Sequence, residues 1–171
     1  MTHPEAWLRG PVDGIPVALQ PVAHALIQAR DEARSMLLGF PDHLLWESPS
    51  GVASVGFHLQ HMAGVIDRLF TYARGEQLSE HQRSALAAEG KPADSSLTVG
   101  VLIDDLSAQV ERALTQLKTT PADTLGEARG VGTQQLPSTV LGLLFHAAEH
   151  VQRHAGQLLV TAKVVRVESR E

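Results

Sequence analysis

Nine histidines are distributed through the 171-residue sequence, and five of them fall in two short segments, His58 and His61 in one and His146, His150 and His154 in the other. His150 and His154 are four residues apart, one turn of a helix, so their rings can converge on a single ion. His58 and His61 lie three apart, and either could reach across a helical bundle to join that pair. Two imidazoles from one helix and one from another would leave a fourth coordination position open to water or substrate, as in catalytic rather than structural zinc sites. Gln157, three residues after His154, falls on the same side and could orient a ligand or a bound water. A histidine on an apolar face can also be an ordinary core residue. Burying several imidazoles without partners would, however, cost about 1 to 3 kcal/mol for each unsatisfied group, and a shared ion removes that cost.

Three other chemistries can be weighed against this one. His146-Ala147-Ala148-Glu149-His150 matches the His-x-x-Glu-His pattern of inverted zinc peptidases. That chemistry needs a further carboxylate ligand well downstream, and little chain follows His150. Di-iron bundles use Glu-x-x-His on two helices, and no glutamate here has a histidine three residues later. Gly130-Val131-Gly132 lacks the strand before it and the lysine after it that a phosphate-binding loop requires, and reads as loop.

The elements that must position the histidines are helices. Leu19, Val22, Leu26, Ala29, Ala33 and Met36 recur at helical spacing, with Pro21 suited to a first turn and Gly39 to an end, predicting a helix over about residues 19–38. Val55, Leu59, Met62, Ile66, Leu69 and Ala73 predict a second over about 51–74, capped by Ser48 or Ser50 and closed by Gly75. Val99, Leu102, Ile103, Leu106, Val110, Ala113, Leu114 and Leu117 predict a third over about 97–117, capped by Ser96 or Thr98. A fourth starts at Pro137, a good first-turn residue, and covers about 137–162. On its packing face the apolar run Val140, Leu143, Leu144, Ala147 gives way to His150 and His154. The connections Gly75–Ser95 and Thr119–Leu136 read as loops, and their length predicts an all-α four-helix bundle with crossover connections. Residues 1–171 are expected to form one domain.

Composition narrows the functions. A formal net charge of −5 with interspersed signs offers no basic stripe for nucleic acid or an anionic membrane surface. The absence of cysteine excludes disulfides, zinc–thiolate sites and a cysteine nucleophile. MTHPEAWLRG carries no secretory pattern and no stretch is apolar enough to span a bilayer, so the expectation is a soluble, cytoplasmic protein.

The two histidine segments resemble the DinB-like (YfiT-like) superfamily of metal-binding four-helix bundles, which carries a histidine near the middle of its second helix and a His-x3-His followed by Gly-Gln in its last. Here these are Ser54-Val55-Gly56-Phe57-His58-Leu59-Gln60-His61 and His150-Val151-Gln152-Arg153-His154-Ala155-Gly156-Gln157. The resemblance extends over most of the chain and implies His61, His150 and His154 as ligands of one divalent ion, with zinc or nickel expected first, although imidazole donors also suit copper and iron. His58 and His146, each about one turn from a ligand, become candidates for supporting a ligand or facing a substrate. Many members have arginine directly after the third ligand, where this sequence has Ala155, with Arg153 one residue before the ligand instead. Asp67 and Arg68 read as a solvated or interhelical pair. The resemblance further implies a metal-dependent enzyme acting on a small molecule, a thiol S-transferase using a low-molecular-weight thiol, and a homodimer. The alternatives are a metal-dependent hydrolase and a metal-stabilised binding module without turnover, the latter favoured if His58 or His146 closes the site as a fourth ligand.

Overall fold

The computed structural model describes residues 4–91 and 96–169; the first three residues of the amino-terminal stretch and the end of the Gly75–Ser95 connection lie outside the described residues. Four long helices form the bundle: α1 (Gln20–Met36), α2 (Val55–Ala73), α4 (Val99–Thr119) and α5 (Val140–Glu168). A short helix α3 (Glu80–Ala88) and a hairpin of β1 (Ala128–Val131) and β2 (Leu136–Thr139) complete the regular elements. α1 and α2 each pack along both α4 and α5, so each of these pairs stands diagonally across the bundle. The connections from α1 to α2 and from α4 to α5 therefore cross it, whereas α2 and α4 are neighbours joined through α3. The core is aliphatic: Leu19, Leu26, Leu59, Met62, Ile66, Leu106, Leu117, Leu144 and Leu158 are among its fully buried side chains. No helix among the described residues is long and apolar enough to cross a membrane.

The apolar stripes lie where their spacing predicts, and the corrections fall at helix ends and in connections. α2 begins at Val55, not near Gly51, because the Ser54 hydroxyl accepts from the Phe57 N–H as the cap, while Ser50 adopts a positive φ of 51° in a turn. Pro137 does not open a helix. It sits in β2 opposite Gly130, and α5 starts three residues later under the Thr139 cap, then continues past residue 162 to Glu168. Gly130 and Val131 thus belong to a strand rather than a loop, and Gly132 and Gln135, both with positive φ, make the turn. Thr98, not Ser96, caps α4. The Gly75–Ser95 connection contains α3, begun by a capping box in which Ser79 and Gln82 satisfy each other's backbone N–H groups.

Candidate metal centre

α2 and α5 lie side by side and bring the two histidine segments face to face. At the start of α2 the Trp46 ring of the α1–α2 connection packs onto Gly56, where a Cβ would overlap it at 2.5 to 2.7 Å. One turn further along, His61 Nε2 lies 3.0 Å from His150 Nε2. The His154 ring centroid lies 4.5 Å from that of His61 and 4.7 Å from that of His150. The ligand atoms of these three residues fall within 4.8 Å of one another. Around a tetrahedral ion with bonds of about 2.0 to 2.1 Å, nitrogens stand roughly 3.3 Å apart, a spacing that small ring rotations here would reach. His61, His150 and His154 could therefore hold a metal ion.

The far sides of the His61 and His154 rings explain their poses. His61 Nδ1 donates to Glu89 Oε2 at 2.6 Å, and the other carboxylate oxygen accepts from Arg68 Nη1 at 2.6 Å. Both Arg68 and Glu89 side chains are more than nine-tenths buried. Burial alone would raise the Glu89 carboxyl, but the hydrogen bonds from His61 and Arg68 outweigh it and hold the group below its ordinary value. A carboxylate behind a histidine fixes its tautomer and increases the donor strength of the opposite nitrogen. Phe57 stacks on the same ring at 5.2 Å and 11°. A hydrogen bond of 3.0 Å joins His58 Nδ1 to His154 Nδ1, which leaves Nε2 of His154 free of that bond. His58 thus lies behind His154 and outside the set of three.

Burial first, then the charge of His61, pushes His58 down to about 4. Burial, followed by His61, His150, His58 and Arg153, pushes His154 down to about 4 as well. His150 is lowered chiefly by burial, with His61, His146 and Arg153 adding to it and Glu149 opposing it. These rings are neutral at neutral pH, the state that ligation requires. His150 Nδ1 is buried and has no hydrogen-bond partner among the described residues.

The remaining predicted residues lie apart. His146 is half exposed and its Nδ1 donates to Glu149 Oε1 at 2.6 Å. Gln157 is exposed, on the wall of a cavity of about 550 Å³ that Val52, Phe57, His58, Arg153, His154 and Val160 also line. Arg153 pairs with Glu149 at 2.8 Å. Asp67 and Arg68 do not pair with each other: Asp67 accepts from Gln82 at 2.8 Å, and Arg68 is buried against Glu89. The residue that sequence reasoning missed is Glu89, the C-cap of α3. The Ser79–Gln82 capping box could have revealed its helix, though not its reach.

A family model described as the DinB superfamily matches residues 25–158. No curated protein gives a significant match to the chain. The matched segment runs from the second turn of α1 through about two thirds of α5 and contains all three converging histidines. On that match and this geometry, the chain belongs to the DinB superfamily of metal-binding helical bundles.

Proposed function

We propose that the protein is a metal-dependent enzyme holding one divalent ion, zinc or nickel, on His61, His150 and His154, and that it transfers a low-molecular-weight thiol to a small electrophilic substrate. The observation that carries the proposal is a set of three converging imidazoles to which no fourth protein ligand is added among the described residues. His58, which would close the site if it ligated, is hydrogen-bonded behind His154, and His146 is turned to Glu149. A divalent ion bound there supplies Lewis acidity that ionises a coordinated thiol near neutral pH. The protein's own tasks are positional. Glu89 holds His61, His58 holds His154, and the cavity beside His154 offers apolar Val52, Phe57 and Val160 to the body of a substrate. Arg153 and Gln157 on the same wall suit an anionic or polar group. No carboxylate lies in the converging set where a hydrolase would place a base, which favours a nucleophile that arrives with the co-substrate.

Elemental analysis of the purified protein should give about one ion per chain, falling to background in His61→Ala, His150→Ala and His154→Ala. Undiminished metal in the last two variants would refute the ligand set. Turnover is tested with a chromogenic electrophile and a panel of small thiols, beside generic esters and amides. Ester or amide hydrolysis that needs no thiol and vanishes in His61→Ala would replace the transferase with a hydrolase, and inactivity throughout would favour a binding module. Exposed Leu141 and Phe145 of α5 are compatible with the expected homodimer, and sedimentation equilibrium decides it.

A further inference from the structure

α3 packs on α2 and buries no side chain of its own, so the cleft between α2 and α4 beside it stays open as a cavity of about 600 Å³. A second cavity, of about 180 Å³, shares Asp67, Gln109 and Arg112 with the first. None of the three converging histidines lines either one. Gln109 is only 6% exposed. Its Oε1 accepts from Arg112 Nε at 2.9 Å and from Arg112 Nη2, which fixes the orientation of the amide and leaves Nε2 for the cavities. That nitrogen donates to nothing among the described residues, a state that buried amides avoid. Asp67 and Arg112 carry opposite charges on the same two cavities, yet they do not pair with each other. Asp67 Oδ2 accepts from Gln82 at 2.8 Å, while its Oδ1 and Arg112 Nη1 have no partner among the described residues.

We propose that these two cavities form a binding site for a free α-amino acid with an aliphatic side chain. The ligand's carboxylate accepts from Gln109 Nε2 and Arg112 Nη1, and its ammonium group donates to Asp67 Oδ1. The smaller cavity, on which all three residues stand, takes this head group. The side chain extends into the larger cavity against Ala63, Leu97 and Leu102. That cavity has the size usual for small-molecule sites, apolar walls with a few polar groups. Both charges of the head group are needed. A carboxylate alone would face Asp67 without compensation, and an amine alone would face Arg112 and leave Gln109 Nε2 bare. A dianion such as phosphate would call for a second free guanidinium. Arg74, the other arginine on the smaller cavity, is already held by Glu76 at 2.7 Å and by Gln116 at 2.5 Å. The site is separate from the metal centre and does not depend on it.

L-leucine is the probe, added to the isotope-labelled full chain and followed by amide correlation NMR. Saturable shifts are expected in α2 and α4 around the cavities, with the side-chain amide of Gln109 among them. Isocaproate lacks the ammonium group of leucine and isoamylamine lacks its carboxylate, so each should bind about tenfold more weakly or worse. Arg112 is exposed, and Arg112→Gln leaves the core untouched. It should weaken leucine by a similar factor while isoamylamine binds as before. Asp67→Asn keeps an amide oxygen that can accept from Gln82, and it should weaken leucine while isocaproate binds no worse. Absence of saturable shifts at about 10 mM leucine, ten times a dissociation constant of about 1 mM, would overturn the site. So would equal binding of leucine and both analogues, or variants that weaken all three ligands alike, since either result would leave only an apolar cleft.

Discussion

Gly64→Ala is expected to perturb the candidate metal centre without touching any histidine. Gly64 lies on α2, and a Cβ built there would sit well under 3.0 Å from both Glu89 Oε1 and Arg68 Nη1, the two atoms joined by the ion pair behind His61. Side-chain atoms in contact need roughly 3.4 Å or more, so both groups must retreat by about 1 Å. Glu89 cannot retreat and keep its 2.6 Å bond to His61 Nδ1. Loss of such a support costs about 10- to 100-fold in metal affinity, or about 1.4 to 2.7 kcal/mol. Alanine also favours a helix interior over glycine by about 1 kcal/mol, so the metal-free protein gains from the change part of what it loses at the ion pair. The expected signature is a small shift in melting temperature without metal and a large drop in affinity with it, measured by competition against a chelator of known strength. A Glu89→Ala background provides the control. There the carboxylate that blocks the methyl group is gone, and Gly64→Ala should weaken affinity no further. Unchanged affinity in the single variant, or an equal loss in both backgrounds, would refute the reasoning.

Other outcomes follow from the same geometry. Metal at 100 times its dissociation constant should add about 2.7 kcal/mol, roughly 5 to 11 °C in melting temperature for a chain of this size, and chelation should remove that increment yet leave the helical circular dichroism intact. A random-coil spectrum after chelation would move the site into the structural class. Gly56→Ala should destabilise by about 1 to 3 kcal/mol through overlap with Trp46, read in urea denaturation, with metal stoichiometry unchanged. For Asp31, burial raises the carboxyl, but hydrogen bonds and charge from Arg9 and Arg30 hold it below 3.8. A depressed carboxyl stabilises the fold above its unfolded value and loses that contribution as pH falls through the folded one, so Asp31→Asn should flatten the stability profile below about pH 4. Urea midpoints from pH 5 downward that run parallel to the wild type would contradict this.

The three converging histidines were legible because two independent signals coincided: residue types that ligate metals, and positions where the helical period calls for aliphatic side chains. His150 and His154 follow Leu143, Leu144 and Ala147 on the packing face of α5, and His61 sits beside Met62 in α2. Glu89 had no such signal. It caps a nine-residue helix, none of whose side chains is buried, so α3 has no stripe to read, and the glutamate acquires its role only when tertiary contacts carry it to Arg68 and His61. The hairpin was missed for a related reason, since four-residue strands of mixed polarity offer too little alternation. At the start of α5 two valid rules competed. Proline is favoured in a first turn, threonine as a cap, and the pairing of Pro137 with Gly130 in the hairpin gave the position to Thr139.

The helix that brings Glu89 contributes no buried side chain of its own and is tied down through polar groups, Gln82 on Asp67 and Thr71, and the Gly90 N–H on Gln60. The residues that hold the His61 ring in place are therefore largely different from those that make the chain fold. Sequence drift along α3 can exchange the carboxylate for an amide, shorten it, or withdraw it from His61 while the aliphatic interior of the bundle stays as it is. An ion bound on this scaffold would in this way have its Lewis acidity graded by a surface segment that leaves the core untouched.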